Sequence, residues 1–315
     1  MAAPVIVVME SIHHAGIDQL AEHATVVQLT GPSDPRLGEA LATADALIVR
    51  STRVSAELIA QAPRLRVIGR HGAGTDNIDL DAAAARDITV VNTPRSNTES
   101  VAEYVITVAL MLLKRIDEVS AALRTGQFTA EHGSLPGQVD RGGLVGREAG
   151  GARLGLVGAG AIGRSVARRA QALGMQVSAY DPFIAPEALE LGIEFVPDLD
   201  SLLASVDIVS LHVPGGNGAL ITAEKLALMQ PGSLLINAAR GELVDPQALT
   251  DALESGHLAG AAIDVYHPEP PAADTPLFDA PNLITTPHMA AMTREALVRM
   301  ALDVTTGVIT ALDQN

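Results

Sequence analysis

The chain has 315 residues, 48% of them apolar, and no cysteine, which allows one or two packed domains and excludes disulfides, thiolate zinc sites and cysteine nucleophiles. The net charge of −16 argues against a nucleic-acid partner, because phosphate binding requires a basic face. The sequence shows neither an uninterrupted apolar run of membrane-spanning length nor a signal-peptide pattern at its start, so we expect no membrane partner and a cytoplasmic location.

Short β-rich runs alternate with helical patterns in the first third of the chain. The predicted strands are 4–9, 25–29, 45–50, 66–70 and 88–92, and the predicted helices are 17–23, 36–44 and 55–62. This alternation indicates a parallel sheet covered by helices on both faces.

A long segment of helical periodicity follows at 97–117, where Asn97 or Thr98 can cap the first amides. Its polar start and apolar body predict one long buried helix that joins two lobes. Residues 125–152 are rich in glycine and show little periodicity, which predicts a loop or linker. The contribution of the stretch 131–150 to any site stays open.

A second βαβ series begins at residue 152. Strands are predicted at 152–158, 175–181, 207–213, 233–238, 259–265 and 283–288, and helices at 162–173, 198–205, 223–229, 245–255 and 293–312. We therefore predict an α/β protein with two doubly wound parallel-sheet domains. The last helix is expected to return to the first lobe, which gives a discontinuous domain of 1–96 and 290–315 and a second domain of 97–289.

The glycine pattern G-x-G-x-x-G, formed by Gly158, Gly160 and Gly163, lies between a predicted strand and a predicted helix. In that context the first glycine allows a tight turn, the second a close approach of a pyrophosphate, and the third packing of the helix on the strand. Asp181 ends the next strand, where an acid binds ribose hydroxyls and repels a 2′-phosphate. The pattern predicts that the turn binds NAD rather than NADP. The alternative is a plain strand–turn–helix that binds no nucleotide, with Asp181 in a turn.

Three further segments fall at successive predicted strand ends: NAARGELVD (237–245), DVYHPEP (264–270) and TPHMA (286–290). The carboxyl ends of parallel strands are where ligands bind in such sheets. These segments present Arg240, Glu269 and His288, which is a set suited to carboxylate binding, orientation of a ring and proton transfer.

The chain resembles the D-isomer-specific 2-hydroxyacid dehydrogenase family, closest to its phosphoglycerate dehydrogenase-like branch. The resemblance lies in RSTRVSAELI, GRHGAGTDNIDL, NTPRSNTESVAE, the glycine turn, YDP, DPFIAPE, HVP and the three segments at the strand ends. It implies a Rossmann NAD-binding domain (97–289) and a flavodoxin-like substrate domain, joined by long hinge helices. It further implies an NAD-dependent oxidoreductase that interconverts a D-2-hydroxy acid and its 2-oxo acid, and a homodimer formed through the NAD-binding domain.

The resemblance also implies residue roles. Arg240 would hold the substrate carboxylate, His288 would protonate the carbonyl oxygen during reduction, and Glu269 would orient His288 through its other ring nitrogen. The implied cofactor-binding residues are Gly158, Gly160, Ala161, Ile162, Gly163, Asp181, His212, Val213, Pro214, Ala238 and Asp264. The implied substrate-binding residues are Arg50, Ser51, Gly72, Ala73, Gly74 and Asn97. No metal is expected, because no pair of histidines has metal-ligand spacing.

The sequence departs from the family pattern in places. It has no tryptophan after the long helix, where Phe128 is expected instead, and Ala290 replaces a glycine after the proposed catalytic histidine. Arginines 50, 53, 70 and 95 at predicted strand ends and turns favour a second anionic group on the substrate, as in D-3-phosphoglycerate. The alternatives are solvated surface arginines and a glyoxylate, hydroxypyruvate, D-lactate-type or sulfolactate substrate. A non-catalytic NAD-sensing protein on the same fold is another.

Overall fold

A computed structural model describes residues 3–185, 192–216 and 218–314. The chain forms two compact units: Met1–Ser100 with Ala291–Asn315, called the first unit, and Val101–Ala290, called the second unit. The last two residues of the segment DPFIAPE lie outside the described residues.

The strands are β1 Val5–Val8, β2 Thr25–Gln28, β3 Ala46–Val49, β4 Val67–Arg70, β5 Thr89–Asn92, β6 Arg153–Val157, β7 Gln176–Tyr180, β8 Glu194–Phe195, β9 Ile208–Leu211, β10 Ser233–Asn237, β11 Leu258–Ile263 and β12 Leu283–Thr285. The helices are α1 His14–Ala21, α2 Leu37–Thr43, α3 Ala56–Ala60, α4 Leu80–Ala84, α5 Thr98–Leu113, α6 Ile116–Arg124, α7 Leu135–Arg141, α8 Ala161–Ala172, α9 Leu199–Ser205, α10 Ala223–Leu228, α11 Pro246–Glu254 and α12 Arg294–Gln314.

The first unit contains a five-stranded parallel sheet in the order β2-β1-β3-β4-β5. Helices cover both faces of this sheet, so the central strands β1, β3 and β4 are buried on both sides, whereas the edge strands β2 and β5 have exposed ends. Val7, Leu47 and Ile68 pack on one face with residues of α2, α3 and α4. The other face packs against α1 and α12, and it leaves no room above Gly69, whose Cβ would lie 2.5 Å from Val308. The last helix of the chain therefore packs on the first sheet.

The second unit contains a seven-stranded parallel sheet in the order β12-β11-β10-β9-β6-β7-β8. Strand order reverses between β6 and β9, which is the arrangement that opens a ligand-binding crevice at the carboxyl ends of the strands. We call this side of each sheet its carboxyl edge. The predicted fold class, two doubly wound parallel sheets of Rossmann and flavodoxin-like order, is confirmed.

Two local predictions are wrong. The segment 97–117 forms two helices instead of one, because Arg115 adopts a left-handed backbone with φ 52° between α5 and α6. The segment 125–152 contains a 3-10 turn at Ala130–His132 and the helix α7. The buried Gln138 side chain accepts a hydrogen bond from the amide of Thr129 and donates one to its carbonyl oxygen. Polar contacts therefore hold this segment, and a prediction based on apolar periodicity misses them.

Candidate active site

The glycine turn of the second unit has the geometry that each glycine position requires. Gly158 has φ +99°, and a Cβ there would lie 2.6 Å from the carbonyl oxygen of His212. A Cβ on Gly163 would lie 2.4 Å from the carbonyl oxygen of Gly158, so helix α8 approaches the strand end closely. A Cβ on Gly160 would meet nothing within 4 Å, and no side chain caps α8 at that residue. The turn therefore presents free helix amides toward open space, as a pyrophosphate site requires.

The side chain of Asp181 is fixed next to this turn. Its Oδ2 accepts a hydrogen bond of 2.9 Å from the amide of Ala159, and its Oδ1 accepts one of 2.9 Å from the amide of Phe183. Half-buried His212 contacts the Ser210 hydroxyl at 3.0 Å through Nε2, and burial lowers its pKa to about 4. The His212 ring is consequently neutral near pH 7. Because the acid Asp181 lies where ribose hydroxyls would bind, the residues present fit NAD.

A carboxylate–imidazole pair lies at the same carboxyl edge of the second unit. Glu269 Oε2 is 2.8 Å from His288 Nδ1, and Glu269 Oε1 accepts a bond of 2.9 Å from the amide of Tyr266. Partial burial would raise the pKa of Glu269, but the bonds from His288 and Tyr266 and the charges of His288 and Arg240 outweigh burial and lower it. Because Nδ1 is engaged by the carboxylate, Nε2 is the ring atom that can exchange a proton with a ligand.

Arg240 lies on a loop that is held from within. Buried Asn237, at the end of β10, donates to the carbonyl oxygen of Arg240 at 2.8 Å and accepts from the amide of Ala239 at 3.0 Å. A Cβ on Gly241 would lie 2.0 Å from the backbone of Tyr266, so the loop that carries Arg240 runs directly against the segment that leads to Glu269. The structure thus brings together the three residues predicted as catalytic.

Asp264, predicted to bind the cofactor, is fully buried. Its Oδ1 accepts from the Thr286 hydroxyl (2.6 Å) and the Met289 amide (2.8 Å), and its Oδ2 accepts from the Ala290 amide (2.8 Å). These contacts show that Asp264 holds the segment carrying His288, while its role toward nicotinamide stays a prediction. The other predicted cofactor residues, Ala161, Ile162, Val213, Pro214 and Ala238, lie exposed or half-buried at strand and helix ends of this unit.

Glu10, which the sequence analysis did not single out, organises one predicted substrate loop of the first unit. Its carboxylate accepts from the amides of Arg50 (2.8 Å), Ser51 (2.7 Å) and Thr52 (2.6 Å), and from the Ser51 hydroxyl (2.7 Å). Burial raises its pKa, but these hydrogen bonds outweigh burial and lower it. The available signal was an acid directly after an apolar strand, at the carboxyl edge of the sheet.

The second predicted substrate loop is braced by Arg70. Gly72 has φ +146°, and the Arg70 guanidinium lies where a Cβ on Gly72 would be. Arg70 also donates to Asn77 Oδ1 at 3.1 Å, and Asn92 donates to the carbonyl oxygen of Ala73 at 2.6 Å.

The four arginines considered for a second anion occupy different environments. Arg70 binds within its own loop, whereas Arg53 and Arg95 are exposed. Arg50 is half-buried with its guanidinium 2.8 Å from the sulfur of Met292. The Oδ1 atom of the predicted substrate residue Asn97 is buried and has no hydrogen-bond partner among the described residues.

The described residues contain neither a membrane-spanning helix nor a cluster of metal ligands. In 3–185, 192–216 and 218–314, no helix has both the length and the apolar character needed to cross a bilayer. Within the same ranges, no group of three or more histidine and acidic side chains is placed to hold a metal ion. His267, next to the pair described above, lies 3.9 Å from Glu242 and is mostly exposed.

Comparison with known proteins identifies the family. The sequence profile described as "D-isomer specific 2-hydroxyacid dehydrogenase, NAD binding domain" matches residues 106–290. The D-3-phosphoglycerate dehydrogenase of Mycobacterium leprae is 41% identical over 316 residues, which is 99% of this chain and 57% of that protein. The (S)-sulfolactate dehydrogenase of Chromohalobacter salexigens is 48% identical over 260 residues, or 81% of each chain. The crystal structure of the TT0316 protein from Thermus thermophilus superimposes with a TM-score of 0.87 at 35% identity and covers 99% of this chain and 97% of that one.

The profile covers more than half of the chain, and the relative from C. salexigens is matched over most of its length. These matches agree with the two parallel sheets and with the glycine turn that fits NAD. The chain belongs to the D-isomer specific 2-hydroxyacid dehydrogenase family.

Proposed function

We propose that the protein is an NAD-dependent oxidoreductase that interconverts a D-2-hydroxy acid and its 2-oxo acid. The supporting observation is the 2.8 Å contact between Glu269 and His288, with Arg240 at the same carboxyl edge as a glycine turn that fits NAD. A protein that only senses NAD would not require an oriented proton carrier, so this contact favours an enzyme.

Each of the three residues has a defined task in this reaction. The bound cofactor would supply the hydride chemistry at nicotinamide C4, as NADH for reduction and as NAD for oxidation. The Arg240 guanidinium binds the substrate carboxylate and polarises the neighbouring oxygen at C2. His288 Nε2 donates a proton to that oxygen during reduction and takes it back during oxidation, while Glu269 stabilises the charged ring through Nδ1.

The test compares His288→Ala with His267→Ala, a matched control for a nearby exposed histidine. His288→Ala is expected to lower kcat for NADH-dependent reduction by about 100-fold or more, because it removes the general acid. NADH binding, followed by fluorescence titration, should stay nearly unchanged in both variants. If His288→Ala turns over like the parent protein, the proposed function is wrong.

For the substrate we propose a D-2-hydroxy acid with a second anionic group, such as a phosphate or a sulfonate. The two relatives named above carry the names D-3-phosphoglycerate and (S)-sulfolactate dehydrogenase, and half-buried Arg50 belongs to the loop that Glu10 holds. Glyoxylate, hydroxypyruvate and D-lactate-type acids are the alternatives. Steady-state kinetics on 2-oxo acids with and without the distal anion decide between them. Equal kcat/KM for both classes excludes the dianion, and Arg50→Gln should lower kcat/KM only for the dianionic substrates.

We further propose that residues 97–289 bind NAD and that residues 1–96 together with 290–315 bind the substrate. We also propose that the protein is a cytoplasmic homodimer that assembles through its NAD-binding part. Apolar side chains exposed on the segment 116–145 of the second unit support such an interface: Ile116, Leu123, Leu135 and Val145. Sedimentation of the parent protein and of Leu123→Glu tests the dimer, since a charge in an apolar interface should shift the protein to monomer. Cell fractionation tests the location.

A further inference from the structure

The backbone of His288 is in an unusual conformation for a residue that must present its ring accurately. Its φ is +53°, in the left-handed region that residues other than glycine rarely adopt. Such a conformation persists only when the surrounding contacts enforce it. The contacts that hold the segment 286–290 therefore determine where the His288 ring lies.

Four of these contacts are made by Asp264. Besides the three bonds to its carboxylate, its main-chain oxygen accepts the amide of His288 at 2.7 Å. The carboxylate thus accepts hydrogen bonds from the amides of the two residues after His288, Met289 and Ala290, and from the hydroxyl of Thr286, two residues before it. This fixes the segment on both sides of the left-handed residue.

A tyrosine from helix α5 completes the arrangement. The Tyr104 hydroxyl lies 2.6 Å from Thr286 Oγ1. Because a carboxylate only accepts hydrogen bonds, Thr286 uses its single proton toward Asp264, and Tyr104 must be the donor to Thr286. Burial, together with the nearby charge of Asp264, raises the pKa of Tyr104 to about 12, so the phenol keeps its proton at neutral pH and can donate.

We propose that Tyr104 is a positioning residue for the proton carrier, acting through the directed chain from Tyr104 to Thr286 to Asp264 that holds His288 against Glu269. This inference rests on the proposed function and extends it to Tyr104, which is 184 positions before His288 in the sequence. This hydrogen-bond chain acts by restricting the backbone that carries His288.

The test uses Tyr104→Phe, which removes the hydroxyl and keeps the ring. We expect kcat to fall about tenfold, since small displacements of a catalytic group have large effects on rate, while KM for NADH stays unchanged. The loss should fall on kcat and leave KM for the 2-oxo acid unchanged, because the hydroxyl positions the proton carrier and not the carboxylate-binding Arg240. The matched control is Tyr180→Phe, which removes a tyrosine hydroxyl at the end of β7, leaves the contact between Tyr104 and Thr286 in place, and should keep the parental kcat and KM.

A double-mutant cycle separates the chain from general loss of packing. Thr286→Val should reproduce the lower kcat of Tyr104→Phe, and the double variant should be no slower than the slower single variant, because both interrupt the same chain. An unchanged kcat in Tyr104→Phe, a loss that falls on KM instead of kcat, or fully additive effects in the cycle would overturn the proposal. Failure of the proposed function is recognised separately, by turnover that persists in His288→Ala.

Discussion

His71 gives the first unit a defined sensitivity to acid. The side chain is 2% exposed, and neither ring nitrogen has a hydrogen-bond partner among the described residues. Burial, reinforced by the positive charges of Arg50 and Arg70, lowers its pKa from 6.5 to about 4. The unfolded chain therefore binds a proton more readily than the folded protein, so this contribution to stability is intact above pH 6.5 and is lost as the pH falls toward 4.

The size of the effect follows from the two pKa values. With 6.5 for the unfolded chain and about 4 for the folded protein, linkage gives a loss of about 2 kcal/mol at about pH 5 and about 3 kcal/mol in the limit of low pH. His71→Leu removes the titrating group, so its free energy of unfolding should not show this loss of about 2 kcal/mol at about pH 5. It also removes an unsatisfied buried polar group. The exposed residue His23 provides the control, as His23→Leu should leave the pH dependence of the parent protein unchanged.

Urea unfolding of the three proteins between about pH 7.5 and about pH 5 measures these differences by linear extrapolation. The expected result is that the parent protein and His23→Leu lose about 2 kcal/mol more than His71→Leu over this range. Equal losses in all three proteins would refute the reasoning, because they would show that His71 does not stay neutral in the folded state.

Three other changes have definite expected outcomes. Gly163→Ala should weaken NADH binding at least about tenfold, measured by fluorescence titration, because its Cβ would lie 2.4 Å from the carbonyl oxygen of Gly158 and would displace α8; parental affinity would contradict the close packing. Asp181→Ser should raise kcat/KM with NADPH relative to NADH, because it removes the acid that repels a 2′-phosphate; an unchanged ratio would show that another group discriminates. Leu202→Ala, in the fully buried core of the second unit, should lower the free energy of unfolding by about 2–5 kcal/mol in urea titrations; a loss below about 1 kcal/mol would mean that the core repacks.

Much of the fold could be predicted because its signals are local. The strands are short apolar runs that alternate with amphipathic helices, and both sheets follow from that rhythm. The glycine turn could also be predicted, because strand, turn and helix are contiguous between Arg153 and Ala172. The predictions failed where a single backbone angle or a polar side chain decided the structure, as at Arg115 and Gln138.

The active-site residues show the same division between local and distant signals. The resemblance pointed to Arg240, Glu269 and His288, because their motifs follow predicted strands. Glu10 was missed: it binds the loop 50–52 some 40 residues away, through a contact between neighbouring strands that no local pattern encodes.

The sequence by itself determined the two βαβ series, the glycine turn and the residue types that can bind a carboxylate and carry a proton. Only the tertiary structure decided that Asp264 is saturated by the segment 286–290, and that Tyr104 reaches Thr286 across 182 positions of chain. The physical reason is that periodicity and turn chemistry are properties of neighbouring residues. Hydrogen bonds between distant side chains depend instead on strand order and helix packing, which form only when the whole unit folds.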